Sequence, residues 1–137
     1  MINQTKEDYL RAIYHFVEDQ KGKNQGVSSV DLSSYLNISK SSVSEMLRKL
    51  VKEDLIQPIS YGKIILTKKG LTLSKDVTRR HRIIESFLSN ILKIKKQAIH
   101  EEAHKLEHAF SEESITSLSK LIKSKHCPHG KKIPVGE

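Results

Sequence analysis

One cysteine, Cys127, stands in a chain of 137 residues, so no disulfide framework forms within it and a stapled secreted scaffold is excluded. Tryptophan is absent, and aromatics make up only 5% of the chain, so its interior must come mainly from Leu, Ile and Val. No apolar run approaches the roughly 18 residues needed to span a membrane. The opening Met-Ile-Asn-Gln-Thr-Lys lacks the apolar core of a secretory signal. A reducing cytoplasm is the expected compartment, with no membrane among the partners. Apolar content of 36% is low, but it suffices for helices that each bury one stripe.

Charge is plentiful and unevenly placed. The net charge is +8, and between Ser39 and Arg82 eleven Lys/Arg face four Asp/Glu, a local balance of +7. Between Ile99 and Ser114 five Glu face one Lys, a balance of −4. A basic middle suits a polyanion, and an acidic, His-rich later segment suits a cation. That later segment contains His100–His108, reading H-E-E-A-H-K-L-E-H. On a helix His100, His104, Glu107 and His108 are related by steps of three and four and share one face. Imidazole nitrogen and carboxylate oxygen are ligands for first-row divalent metals. A second pair, His81 and Glu85, has the same i, i+4 spacing. The plain alternative is a solvated charged face.

Thr5 caps a first helix to about Asp19, with Asp8 completing a variant capping box and Tyr9, Leu10, Ile13, Phe16 and Val17 facing a core. Lys21–Gly26 reads as a polar loop. Val27–Leu36 reads as a second helix, capped by Ser28 or Ser29, with Val30, Leu32 and Leu36 turned inward. After Asn37-Ile38-Ser39 a third helix runs from Lys40 to about Asp54. Two helices joined by so short a turn form a helix-turn-helix pattern. Ser39, Lys40, Ser41, Ser42, Ser44 and Glu45 are placed to enter a major groove, and Arg48, Lys49 and Lys52 to meet phosphates. Leu55-Ile56 and Lys63–Leu66 change to strand character around a Tyr61-Gly62 turn. They predict a hairpin wing with Lys63 at its tip. Thr67 caps a long fourth helix to about Leu92, in which Gly70 is a slight weakness. A fifth helix from Lys96 to Phe110 carries the His/Glu face, and a sixth runs from Ser111 to about Lys123. The expected fold is mainly α: a winged helix-turn-helix over 1–74, then a helical unit over 75–137. The apolar stripes of the short later helices predict a dimer.

These residues resemble the metal-dependent repressors typified by the diphtheria toxin repressor and the manganese transport regulators. The resemblance is carried by the opening helix over Thr5–Tyr14, Ser41–Ser44, Leu66–Gly70, Arg80-His81, Glu102–His108, and the closing Cys127–Gly130 with Ile133-Pro134. It implies a primary metal site of Asp8, His104, Glu107 and His108, and an ancillary site of His81, Glu85 and His100. Asp8, on the first helix, would tie the DNA-reading unit to the metal. Three positions depart from the pattern. His104 stands where relatives more often carry Cys or Glu, and Arg11 stands where manganese-specific members carry a second carboxylate. The chain stops at Glu137, before the SH3-like domain of longer members.

The expectation is a homodimeric repressor of metal-uptake genes that binds a palindromic double-stranded DNA operator when loaded with a divalent metal. Mn²⁺ or Fe²⁺ leads, with Zn²⁺ or Co²⁺ as alternatives, and no small organic ligand is expected. Two rivals stand beside it. His104-Lys-Leu-Glu-His108 matches the H-x-x-E-H pattern of inverted zinc peptidases, although no third ligand or substrate cleft accompanies it. The other rival is a winged-helix regulator without metal, its histidines solvated or sensing pH. Cys127, between His126 and His129, is read as structural or as a free thiol, because one short loop is too tight for a tetrahedral site.

Overall fold

The computed structural model describes residues 5–20, 25–122 and 127–134. Most of the expected Lys21–Gly26 loop, together with His126, lies outside the described residues. The chain divides into two compact units, with the boundary between Val77 and Thr78.

The first unit opens with α1 (Lys6–Val17), followed by a 3-10 turn over Glu18–Gln20. The Thr5–Asp8 capping box forms in both directions, with the Asp8 amide donating to Thr5 Oγ1 and the Thr5 amide donating to the Asp8 carboxylate. Val27 and Ser28 belong to a strand, β1, rather than to the second helix. The β-branched Val27 is buried opposite Ile64, and Ser28 then caps α2 (Ser29–Leu36) by accepting from the Asp31 amide. Val30 is 55% exposed, contrary to the inward orientation expected of it, because on so short a helix it lies off the face that buries Leu32. Asn37 takes the left-handed conformation that ends α2, and Ser39 caps α3 (Lys40–Lys52). Val43, Leu47 and Leu50 of α3 join Leu10, Ile13 and Leu32 in a core that Leu55, Ile56, Ile64 and Leu66 close from the sheet side.

Strand β2 (Lys63–Ile64) pairs antiparallel with β1, and bridges at Ile56↔Leu66 and Ser60↔Lys63 make the hairpin. The wing is therefore stitched to the segment before α2 as well as to its own arm. Thr67 Oγ1 accepts from the Gly70 amide at the start of α4 (Lys68–Asn90). Gly70 is a requirement rather than a weakness: a Cβ there would stand 1.8 Å from the Leu55 carbonyl oxygen. Only glycine lets α4 lie this close to the hairpin backbone.

The second unit holds the later part of α4, α5 (Lys96–Glu107) and α6 (Glu112–Ile122). Ile83, Ile84 and Leu88 pack with Ile99, Ala103, Ile115 and Leu118. The fifth helix ends earlier than its periodicity suggests, and His108 is its C-cap. Ile91, Leu92 and Leu121 remain exposed.

Candidate metal centre and nucleic-acid face

The end of α5 is held by Arg80 on α4. Its guanidinium donates to the Glu107 carbonyl at 3.0 Å and the Phe110 carbonyl at 2.9 Å, and it pairs with Glu112. A cation thereby satisfies carbonyls left open at a helix C-terminus and fixes where Glu107 and His108 stand.

Two donor groups form on this frame, each with ligand atoms within 4.8 Å of one another: His104, Glu107 and His108, and His81, Glu85 and His100. These are the groupings the sequence suggests, apart from Asp8. Within each, the carboxylate is buried and one histidine is exposed, His108 in the first and His100 in the second. One imidazole links the two groups: His81 Nδ1 lies 2.9 Å from a Glu107 oxygen, and His81 Nε2 lies 3.5 Å from a Glu85 oxygen. The neighbouring acids Glu101 and Glu102 pair instead with Lys105 on the outer face of α5.

Burial alone would push the Glu85 carboxyl up. The hydrogen bond from His81 and the charges of His81, His129 and His100 outweigh it and hold the group below its ordinary value. A divalent cation would likewise compensate the buried carboxylates, and it would take imidazole nitrogens as ligands. The donor set therefore fits a divalent metal.

A third group was missed from the sequence. Glu85 also lies with Cys127 and His129, and His129 Nδ1 is 3.2 Å from its carboxylate. The reading of Cys127 as structural or as a free thiol weighed its loop by itself, whereas α4 brings Glu85 beside it as a third candidate donor. The loop is held in place by the Cys127 amide on the Lys131 carbonyl and by Arg82 donating to the Lys132 carbonyl at 2.7 Å. The available signal was the Cys-x-His spacing, two donors that needed a distant third.

Asp8 belongs to the first unit. Its carboxylate completes the capping box and lies 3.4 Å from the Arg11 guanidinium. Arg11, the departure noted at this position, therefore supplies a positive neighbour rather than a second acid.

In the first unit Ser39, Lys40, Ser41, Ser42, Ser44, Glu45, Arg48, Lys49 and Lys52 are all exposed, opposite the face that buries Val43, Leu47 and Leu50. Ser39 is occupied locally, accepting from the Ser42 amide and meeting the Ser41 and Ser42 hydroxyls. Burial first, and the Glu45 charge second, raise the pKa of the Tyr9 phenol behind this helix. Lys63 is exposed just beyond the hairpin turn rather than at its tip. His15 is half-buried, its ring near those of Phe16 and Tyr35.

A basic winged helix-turn-helix followed by helices bearing His/carboxylate clusters is the build of a metal-responsive transcription regulator. Residues 1–63 match the model of the iron dependent repressor N-terminal DNA binding domain, and residues 67–135 match that of the iron dependent repressor metal binding and dimerisation domain. The chain belongs to the iron-dependent repressor family. It is 35% identical over 117 residues to an uncharacterised HTH-type regulator of Methanocaldococcus jannaschii, covering 85% of this chain and 91% of that one. It is 31% identical over 123 residues to the HTH-type transcriptional regulator MntR of Bacillus pumilus, covering 89% and 81%. Among solved structures it superposes on the manganese regulator SloR with a TM-score of 0.83 at 38% identity, covering 98% of this chain and 61% of that one. For IdeR of T. acidophilum the TM-score is 0.81 at 30% identity, covering 100% and 64%. The chain thus spans about three fifths of the length of these two solved relatives. Membership places the chain among transcriptional regulators, and the zinc-peptidase reading of His104–His108 is set aside.

Proposed function

We propose that this chain is a metal-activated transcriptional repressor that binds a palindromic duplex operator as a homodimer. The observation that carries the reading is the assembly of buried carboxylates with imidazoles in the second unit of a chain whose first unit presents a basic recognition helix. Solved relatives described as manganese regulators, and one with bound Zn²⁺, support a divalent transition metal as the ligand. A bound metal would supply positive charge to the buried carboxylates and hold the donor helices in one arrangement.

In this reading His104, Glu107 and His108, with Asp8 carried over from the family resemblance, form the primary site. His81, Glu85 and His100 form the ancillary one, in which Cys127 and His129 offer a second set of donors to Glu85. His81 orients Glu107 through Nδ1, so filling of either site bears on the other. Nitrogen and oxygen donors suit Mn²⁺ and Fe²⁺, while the thiol at Cys127 favours Zn²⁺ or Co²⁺ in the group that contains it. The exposed Ile91, Leu92 and Leu121 support dimerisation through the second unit. Ser39–Glu45 would read base edges, and Arg48, Lys49, Lys52 and Lys63 would hold phosphates. The domain division proposed is a DNA-binding part over 1–74 and a dimerisation and metal part over 75–137.

The test is a titration of duplex DNA, selected from a random pool by Mn²⁺-loaded protein, with and without chelator. Tight binding that vanishes on chelation is expected, and affinity indifferent to chelator would overturn the metal switch. His108→Ala is the cleanest ligand variant, because His108 is exposed at a helix end. Asp8→Asn is preferable to Asp8→Ala, since Asp8 also serves the capping box.

A further inference from the structure

The wing carries a residue that local sterics do not explain. Ser60 and Lys63 bridge across a two-residue turn, and the Lys63 amide donates to the Ser60 carbonyl at 3.1 Å. Both central residues are left-handed, Tyr61 at φ 55° and Gly62 at φ 70°. This type I′ geometry favours Asn-Gly or Gly-Gly, and a bulky side chain at the first position is strained.

The strain is not offset by packing. Tyr61 is fully exposed, and a Cβ at Gly62 would meet nothing within 4 Å, so the tip stands in open space. The other tyrosines are accounted for: Tyr9 and Tyr14 are buried, and Tyr35 stacks with His15 and Phe16. Among the described residues, only Tyr61 puts its aromatic ring wholly into water. The arm leading to it lies along the recognition helix, for Pro58 and Ile59 line one groove with Ser44, Leu47, Arg48 and Val51 of α3. Next after the turn comes the exposed Lys63.

We propose that Tyr61 is a DNA-contacting residue of the wing. Its ring lies against a deoxyribose and its hydroxyl donates to a phosphate of the strand flanking the groove that α3 enters. A phenol combines an apolar body with a donor, which matches the alternation of sugar and phosphate along a strand. The contact deepens the DNA-binding reading above and rests on it.

Tyr61→Asn separates contact from fold, because asparagine suits the left-handed turn and keeps the hairpin. With Mn²⁺-loaded protein and the pool-selected duplex, Tyr61→Asn should bind about tenfold more weakly, with a Tm equal to or above wild type. Its salt dependence should keep the wild-type slope, since a neutral side chain releases no counterion. Lys63→Ala should lower the slope by about 1.8, roughly 0.9 for each of the dimer's two wings. Binding by Tyr61→Asn within twofold of wild type would overturn the proposal. So would a loss accompanied by a slope lowered as in Lys63→Ala, because Tyr61 would then act by holding the hairpin and its lysine. Wild-type protein that binds no duplex with Mn²⁺ would instead bring down the DNA-binding reading itself, and the contact with it.

Discussion

The two units use charged residues in opposite ways. In the first, Lys40, Arg48, Lys49, Lys52 and Lys63 stand exposed to solvent. In the second, the Glu85 and Glu107 side chains are each 4% exposed and held against imidazoles. Exposed charges are cheap, individually weak and screened by salt, which suits reading a polyanion. Buried ones are costly and demand a specific partner, which suits sensing one kind of ion. A repressor of this build needs both, and it keeps them on separate cores.

The largest way to break the contrast is to remove the metal that the buried carboxylates are proposed to hold. Chelation, or Glu107→Gln, should weaken operator binding by about a thousandfold, to the non-specific level, as read by fluorescence anisotropy. A Glu107→Gln protein that still responds to metal would move the primary site elsewhere. Next in size is Gly70→Ala, where the added Cβ meets the Leu55 carbonyl. Urea unfolding should show a loss of about 3 kcal/mol in the first unit. Little change would mean that α4 can shift without disturbing the wing. Thr5→Ala removes one half of the capping box and should cost about 1 kcal/mol by the same measurement. Smallest is Lys49→Ala, a single exposed charge. It should flatten the slope of log affinity against log salt by about 1.8, roughly 0.9 for each protomer, and weaken all duplexes alike. Buried and exposed charges should also part under salt: between 50 and 200 mM, DNA affinity should fall by about a thousandfold or more. Metal affinity measured by calorimetry should change far less over the same range.

The helices were legible because their signals are local. Thr5 with Asp8, Ser28, Ser39 and Thr67 all sit where the caps form, and the apolar stripes of α1 and α3 bury as their spacing suggests, while that of α6 buries Ile115 and Leu118 but leaves Leu121 exposed. Two features lay beyond the reach of local signals for one reason. Val27 reads as helical on its own neighbours but becomes a strand because Ile64 offers it a partner far along the chain. Cys127 reads as an isolated thiol because its companion donor, Glu85, belongs to another element. Gly70 belongs with them, as its cost in helix propensity is visible locally and its necessity is not.

For the metal cluster the division follows the same line. Steps of three and four along one helix already put His104, Glu107 and His108 on a common face, and His81 with Glu85 on another, because helical geometry maps spacing to direction. Packing of α4 against α5 then set the His81 imidazole between Glu85 and Glu107, and the loop anchored by Arg82 brought His129 to Glu85. Periodicity acts within an element, whereas the distance between donors on different elements is set by the side chains that separate them. The donor types can therefore be read from the order of residues, and their meeting point belongs to the core formed by Ile83, Ile84, Ile99 and Ala103.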